Sequence, residues 1–476
     1  MLLKDVLTIE SGLKYCIDEL NIQSGVGRNY LMNLRWKTTP QDLEWEWTFV
    51  EEIVKQMQNN ETAKLVGNIQ HKLSGIHNIK QTIHNIENGD LLDDVQLFEV
   101  KNLALLSIEI ASLAKEAGLD LLFLIPDLSE VAAILDPDHN NIAHFYIYES
   151  YDPRLAEVRN SLKRLTNNLD SRRNTLSEQE VAEWEAQITD IYNLNQSIED
   201  EVRKALVDKL SRHTLMLKAA LERLAYIDLS IAKAEQATRW SMCRPNISNT
   251  TIAYTNLFNP RLKITLEERK QRYQHISIDI SQGVCLITGA NMAGKTVLLK
   301  TMGIAQMLAQ FGFFVPAQEA TITLMDKVVF CIGDEQNEMN GLSSFASEIL
   351  KINEVVQESD RRKMLVLIDE PARPTNPTEG KAIVQAIASI MNRRNSYCLI
   401  TTHYSHLGID CRKLRVKGFA DSEITGTITP QNINQYMDYT LQEDNSDSVP
   451  HEALRIAEIL NCNPELITTA KNFLEN

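Results

Sequence analysis

The sequence predicts an all-α region of about 240 residues followed by an α/β domain built on a mostly parallel sheet with flanking helices. Up to residue 240, glycine and proline are rare and apolar residues recur every three or four positions, which is the helical pattern. After residue 244, short apolar runs alternate with helical stretches, as in buried parallel strands joined by helical crossovers. Three such runs are VCLIT (284–288), MLVLI (364–368) and YCLIT (397–401).

The bulk composition is that of a folded, acidic chain. Its 476 residues are 43% apolar, enough to bury the cores of several domains. The formal net charge of −16 argues against DNA as the dominant partner, because proteins that depend on phosphate contacts usually present a basic surface. Seven scattered cysteines form no Cys-x-x-Cys pair, so the sequence predicts no disulfide framework and no zinc site, and it fits a cytoplasmic protein. Charged residues interrupt the longest apolar stretch, 103–125, so no membrane segment is expected.

The helical half contains a long amphipathic stretch over residues 196–238. Its apolar residues form a helical stripe: Val202, Leu206, Leu210, Leu217, Leu221, Leu224 and Ile231. About 40 residues at about 1.5 Å each give a rod of roughly 60 Å, which can carry motion over a distance. The polar stretch before it is expected to form exposed helices at a distal tip, where Arg172 and Arg173 could contact phosphates, although acidic residues lie nearby.

A phosphate-binding motif, Gly-x4-Gly-Lys-[Ser/Thr], follows the first apolar run and precedes an apolar helix. In such a loop backbone N–H groups curl around a phosphate, Lys295 neutralises β- and γ-oxygens, and the Thr296 hydroxyl can bind magnesium. The sequence therefore predicts a site for ATP and Mg²⁺. The predicted nucleotide-binding residues are Gly289, Ala290, Asn291, Met292, Ala293, Gly294, Lys295, Thr296 and Val297.

Two further elements follow apolar runs. MLVLI ends in Asp369 and Glu370, where the first acid can hold Mg²⁺ together with Thr296 and the second can act as general base for the attacking water. This tandem is typical of ATPases of the ABC and related type, although two such acids could also be surface residues. His403 follows YCLIT; alone it is more often structural, but beside the other elements it is predicted to contact the γ-phosphate.

A fourth element, GLSSFASEI (341–349), begins a helix that Ser343 or Ser344 can cap. In a monomer this segment would only form the N-terminus of a helix. Opposite the phosphate loop of a second subunit, its free N–H groups could complete a composite site.

These elements, in this order and spacing, resemble the MutS family of mismatch-repair ATPases. TGANMAGKT (288–296) is similar to the family's TG-x-NM-x-GK-[ST] loop, and DEPARPTNPTEG (369–380) and TTHYSHL (401–407) are similar to its Walker B and switch segments. The resemblance implies that Ser343 acts in trans on a neighbour's γ-phosphate, that Glu348 steadies its helix and that Asn291 lines the loop. The implied catalytic residues are Glu370, His403, Lys295 and Ser343.

The resemblance covers nearly the whole chain and implies a domain organisation. YESYDPRLAEVR (148–159) and the stretch 224–245 are similar to the family's helical core and lever domains. Residues 1–240 are therefore expected to form an all-α core and lever domain with a clamp-like tip at about 160–200, and 241–435 an ABC-type P-loop ATPase domain. Residues 436–476 are expected to form a C-terminal helical dimerisation segment, in a homodimer or a heterodimer with a MutS-like paralogue.

The chain also departs from the family pattern. It begins where the family's core begins, so we expect no mismatch-reading domain. Three prolines, Pro371, Pro374 and Pro377, replace the family's flexible Gly-Arg-Gly-Thr-Ser-Thr run and predict a stiffer loop. This loop is similar to that of MutS-like reactivases of cobalamin-dependent lysine 5,6-aminomutase.

The expected function is a dimeric ATPase that acts as a nucleotide-gated conformational switch. Its partner could be DNA, mismatched or branched, as the family's prevalent members suggest. The alternative is a protein client, a cobalamin-dependent aminomutase that the chain reactivates, which the acidity and the proline loop favour. A third possibility, ATP binding without turnover, is disfavoured by Glu370.

Overall fold

The computed structural model describes residues 1–9, 11–140, 142, 144–289, 293–333, 344–373, 375–404, 407–419, 436–444, 454, 457–458 and 462–475. The chain divides into two compact units. The sheet unit comprises Met1–Leu20, Leu34–Glu51 and Lys233–Asn476, and the helical unit comprises Asn21–Asn33 and Glu52–Ala232. The first 20 residues thus group with the phosphate-loop half, while the predicted domain boundaries at 240 and 435 stay predictions.

Twelve α-helices are described in the first half of the chain. They are α1 (Leu3–Val6), α2 (Leu13–Asp18), α3 (Gly25–Met32), α4 (Pro40–Gln58), α5 (Asn60–Leu73), α6 (Lys80–Asn88), α7 (Asp94–Glu116), α8 (Asp120–Phe123), α9 (Ser129–Leu135), α10 (Pro153–Arg172), α11 (Glu178–Leu210) and α12 (Thr214–Trp240). Helices α4 and α12 contribute residues to both units. Within the described ranges, no helix is both long and apolar enough to pass through a membrane.

The α-helix expected over residues 196–238 is interrupted by a short 3-10 turn, although Leu210, Ser211 and Thr214 keep right-handed helical dihedral angles. Helix α11 ends at Leu210, a 3-10 turn follows over Ser211–His213, and α12 begins at Thr214. Hydroxyl groups explain the break, because the Ser211 hydroxyl donates to the carbonyl of Asp208 at 2.8 Å and the Thr214 hydroxyl donates to that of Ser211 at 3.2 Å. Such side chains compete for backbone carbonyls and disturb a helix.

Helices α10 and α11 pack as an antiparallel pair held by charge. Cross-helix ion pairs join Arg154 to Glu201 at 2.6 Å, Arg159 to Glu199 at 2.9 Å and Arg173 to Glu185 at 3.0 Å. Because these arginines pair with α11, part of the positive charge of α10 is neutralised within the helical unit. Arg173, at the predicted tip, is therefore engaged with a carboxylate of its own chain.

The second half contains ten described strands and five helices. They are β1 (Asn246–Ile247), β2 (Thr251–Leu257), α13 (Pro260–Glu268), β3 (Ile276–Ser281), β4 (Gly283–Thr288), α14 (Lys295–Gln310), β5 (Glu319–Ile322), β6 (Lys327–Ile332), α15 (Ser344–Glu358), β7 (Met364–Asp369), α16 (Pro377–Met391), β8 (Tyr397–Thr401), β9 (Arg412–Phe419), β10 (Met437–Glu443) and α17 (Pro464–Glu475).

Six strands form the main sheet, in the order β10-β9-β4-β8-β7-β6. The three apolar runs found in the sequence are β4, β7 and β8, and they pair in parallel, as predicted. Strand β6 is also parallel to β7 and β9 is parallel to β4, whereas β10 pairs with β9 in the antiparallel direction. A separate four-stranded sheet, β1-β5-β2-β3, was not predicted. Its strands β2 and β3 alternate between buried and more exposed residues, so they lack the continuous apolar runs that marked the main sheet.

Helices cover both faces of the main sheet. On one face, α15 and α16 bury residues such as Ile352 and Val384 against β4, β6, β7 and β8. On the other face lies α14, which approaches so closely at Gly303 that an added Cβ would overlap the ring of Phe330 and lie 2.9 Å from Leu367. The helix that follows the phosphate loop is therefore fixed firmly on the sheet.

A buried charge cluster fixes the far end of α14. The Lys233 ammonium donates to the carbonyls of Phe311 at 3.2 Å and Gly312 at 3.1 Å, and it pairs with Glu46 at 3.2 Å. Lys37 forms a second ion pair with Glu46. Burial lowers the pKa of Lys233 to about 8, whereas for Glu46 burial acts to raise the pKa and the two ammonium groups hold it below its usual value. The Lys233 ammonium thus lies at the C-terminal end of α14, where backbone carbonyls lack partners within the helix.

Candidate nucleotide site

The register of the parallel strands places the functional side chains at one edge of the main sheet. Asp369, the last residue of β7, pairs with Thr401, the last residue of β8. Thr401 also pairs with Ile287, and Ile287 is one residue before the end of β4 at Thr288. Because carboxyl ends of parallel strands meet at one edge, the phosphate loop starts beside Asp369.

The described part of the phosphate loop has the backbone that its glycines permit. Gly289 has φ of 141° and Gly294 has φ of 72°, values that favour glycine. An added Cβ would also lie 3.2 Å from Val416 at Gly289 and 3.1 Å from the Tyr439 ring at Gly294. Ala293 is buried, and α14 begins at Lys295, followed by Thr296 and Val297. The predicted residues Ala290, Asn291 and Met292 lie outside the described residues.

Asp369 joins the phosphate-loop helix to the sheet. Its Oδ2 accepts a hydrogen bond from the Thr296 hydroxyl at 2.5 Å, and its Oδ1 accepts one from the Thr401 hydroxyl at 2.5 Å. The predicted magnesium ligands Thr296 and Asp369 are thus in direct contact. A hydroxyl and a carboxylate side by side form an oxygen donor set of the kind that Mg²⁺ prefers, so these residues fit the ion.

Glu370 lies against two cations. Its Oε1 is 3.1 Å from the Lys295 ammonium, and its Oε2 is 3.4 Å from the Arg373 guanidinium. The Lys295 ammonium also donates to the carbonyl of Gly289 at 2.7 Å. The predicted general base and the predicted phosphate-binding lysine are therefore neighbours. Arg373, absent from the predicted site, belongs to it through this contact.

His403 lies in the same electrostatic environment. Burial lowers the pKa of its imidazole; the charge of Glu370 opposes this shift, and the charges of Lys295 and Arg373 reinforce it. The centroid of the His403 ring is also 4.3 Å from the centroid of the Tyr404 ring. At neutral pH the imidazole is therefore uncharged, with one nitrogen able to donate a hydrogen bond.

The segment after Glu370 forms a strained turn. Glu370 has φ of 44° and Ala372 has φ of 60°, although neither is glycine. The Ala372 N–H donates to Glu348 Oε1 at 3.3 Å, and the Tyr404 hydroxyl donates to the Ala372 carbonyl at 3.4 Å. Gly380 on α16 leaves room for this packing, since an added Cβ would overlap the Tyr404 hydroxyl.

The three prolines of this segment have different places. Pro371 lies between the two left-handed residues, and Pro374 is outside the described residues. Pro377 is the first residue of α16, where a missing N–H costs nothing, and Asn376 caps that helix by accepting from Thr378 N–H at 2.9 Å. The greater stiffness predicted for this loop stays a prediction.

The structure thus brings together Lys295, Thr296, Asp369, Glu370 and His403. Ser343 lies outside the described residues. Sequence reasoning missed Thr401, Arg373 and Tyr439. Thr401 could have been found by aligning the ends of the apolar runs, and Arg373 by its position three residues after the Asp-Glu pair. Tyr439 comes from the antiparallel strand β10, and no motif marks it.

Comparison with known proteins points in the same direction as the geometry. Residues 285–476 match the family model described as MutS domain V. The "DNA mismatch repair protein MutS" of Thermus thermophilus is 32% identical over 275 residues, which is 56% of this chain and 32% of that protein. The "Endonuclease MutS2" of Geobacillus thermodenitrificans is 35% identical over 209 residues, 44% of this chain and 26% of that protein. The chain therefore spans about a third or less of the length of these curated relatives.

The charge environment of His403 gives a first prediction. We expect its imidazole to titrate below the usual pKa of about 6.5, because burial and two cations disfavour the protonated form. Glu370→Gln removes a negative charge that raises this pKa, so the titration moves to still lower pH. NMR titration of the histidine ring protons measures both values. A pKa at or above the usual value, or one that rises in Glu370→Gln, contradicts the described environment.

Proposed function

We propose that the chain is a MutS-type ATPase, which binds ATP with Mg²⁺ at residues 289–297 and hydrolyses it. The observation that carries the proposal is the contact of Asp369 with Thr296, beside the contact of Glu370 with Lys295. Asp369 and Thr296 offer oxygen ligands for a metal. Glu370 places a carboxylate beside Lys295, the lysine that binds phosphate. The match of residues 285–476 to MutS domain V supports the same function.

In this proposal each residue acts at a stated part of the triphosphate. The N–H groups at the start of α14 and the Lys295 ammonium bind the β- and γ-phosphate oxygens. Thr296 and Asp369 hold magnesium, which supplies positive charge to the phosphates when bound. Glu370 accepts the proton of the attacking water. The imidazole of His403 donates a hydrogen bond to the γ-phosphate, where negative charge is concentrated.

Changing Glu370 to Gln tests the general base. The amide cannot take the proton, so we expect ATP hydrolysis to fall by about a hundredfold or more, while ATP binding persists. Phosphate release and nucleotide titration measure the two quantities separately. Glu354→Gln, an exposed acid on α15, is the matched control and should hydrolyse ATP normally. A Glu370→Gln protein with wild-type turnover rules out this assignment.

We further propose that the active form is a dimer, homomeric or with a MutS-like paralogue, that works as a nucleotide-gated switch. The resemblance of GLSSFASEI to the family's trans-acting element supports this, with Ser343 at a neighbour's γ-phosphate. Helices α4 and α12 provide chain continuity between the two compact units. The C-terminal helix α17 belongs to the predicted dimerisation segment.

A protein client is a second candidate for the partner, and charge favours it. The net charge is −16, and Arg154 and Arg159 of α10, with Arg173 just after it, are paired with carboxylates of α11. The proline-rich turn after Glu370 resembles that of cobalamin-dependent aminomutase reactivases. The relatives named as a mismatch repair protein and an endonuclease favour DNA instead.

A salt titration distinguishes the two partners. Fluorescence anisotropy with duplex, mismatched and branched DNA is measured at increasing salt, with and without ATP. The net charge of −16 and the pairing of Arg154 and Arg159 with carboxylates of α11 predict weak binding to DNA even at low salt, because they reduce the positive charge available to displace counterions. Tight binding with a steep salt dependence overturns the protein-client proposal. Arg173→Glu is a useful companion variant, since loss of DNA binding there would place DNA at the predicted tip.

A further inference from the structure

We propose that Glu348 is a positioning residue for the hydrolysis reaction, holding the turn that carries the general base Glu370. The inference rests on the ATPase proposed above. It concerns a carboxylate on α15 that touches neither the phosphate loop nor Asp369 in the contacts described, and whose action reaches the site through the backbone of Ala372.

The turn needs external support because its backbone is unfavourable. Glu370 and Ala372 both have φ in the left-handed region, at 44° and 60°, where a side chain crowds the backbone. Pro371 between them has no N–H with which to form a hydrogen bond. Such a conformation persists only where neighbouring groups hold it.

Each of the two strained residues has its N–H engaged from a different element. The Glu370 N–H donates to the Thr401 carbonyl at 3.1 Å and to the Thr401 hydroxyl at 3.0 Å, at the end of β8. The Ala372 N–H donates to Glu348 Oε1 at 3.3 Å. Strand β8 therefore holds the first half of the turn, and α15 holds the second half.

The surroundings of the hydrogen bond between Ala372 and Glu348 restrict both residues. Ala372 is fully buried, and Glu348 is half-buried. Burial raises the pKa of Glu348, and the Ala372 N–H opposes that shift, as expected for a partly desolvated carboxylate that accepts a hydrogen bond. Ile352 and Val355, further along α15, are packed in the sheet core, so the helix presents Glu348 from a fixed position.

This contact also links Glu370 to the start of α15. Glu348 lies four residues after Ser344, the first residue of α15, which corresponds to about one helical turn or roughly 6 Å. One hydrogen bond, from the Ala372 N–H to Glu348, and two peptide units therefore connect α15 to Glu370.

The test separates catalysis from ATP binding. Glu348→Ala removes the acceptor, and we expect kcat to fall by about tenfold, the rate equivalent of one hydrogen bond to a charged group. ATP affinity should be nearly unchanged, because Lys295 and Thr296 keep their contacts. Glu348→Gln retains a side-chain oxygen that can accept from Ala372 N–H, so its kcat should lie nearer to that of the wild type. Glu354→Ala, on an exposed position of the same helix, is the control and should leave kcat unaltered.

A second substitution tests the mechanism of the loss. Ala372→Gly removes the steric cost of the left-handed backbone, so the turn depends less on its hydrogen bond to Glu348. Loss of the Glu348 carboxylate should then reduce kcat less in the Ala372→Gly background than in the wild type. If Glu348 merely stabilised α15, glycine at 372 would give no such rescue, and the unfolding temperature and ATP affinity would fall together with kcat.

The outcomes are distinct. Reduced kcat with retained ATP affinity and rescue by Ala372→Gly supports the proposal. Wild-type kcat in Glu348→Ala, or a loss that glycine does not rescue, overturns it while leaving the ATPase intact. Absence of hydrolysis in the wild-type chain, alone and with a second subunit, overturns the ATPase proposal and this one with it.

Discussion

The geometry of the site depends on the carboxylate of Asp369. One oxygen accepts from Thr296, at the start of the helix that follows the phosphate loop, and the other accepts from Thr401, at the end of the neighbouring strand. These two hydrogen bonds join α14, β7 and β8 at a single residue. The next residue is Glu370, so the position of the general base relative to the phosphate loop follows from how Asp369 is held.

Two different kinds of support surround the junction at Asp369. Close packing of Gly303 on Phe330 and Leu367, and the buried Lys233 at the far end, fix α14 on the sheet. The turn after Asp369 is instead a strained segment, held in place by hydrogen bonds from neighbouring elements. The proposed phosphate-binding helix is thus fixed by packing, whereas the proposed general base lies on a turn that is held by hydrogen bonds.

More of the candidate site than of the surrounding fold could be predicted from the sequence. Phosphate loop, Asp-Glu pair and following histidine each come directly after an apolar run, and parallel strands necessarily bring such ends together. The sequence therefore indicated that Lys295, Thr296, Asp369, Glu370 and His403 would lie at one edge of the sheet, and the structure brings them together there. The break at Ser211–His213 depends on which carbonyls two hydroxyls reach, and the contact of Glu348 with Ala372 depends on the packing of α15, so neither has a periodic signal.

The most direct test is the magnesium dependence of ATP binding, measured by calorimetry with magnesium and with chelator, in the wild type and in Asp369→Asn. Asp410→Asn, at an exposed position before β9, is the control. An amide cannot supply the negative charge that magnesium requires or accept from both hydroxyls through oxygen. We expect the wild type and the control to bind ATP more tightly with magnesium, and Asp369→Asn to lose most of that gain while remaining folded. Equal magnesium dependence in all three proteins contradicts the role assigned to Asp369.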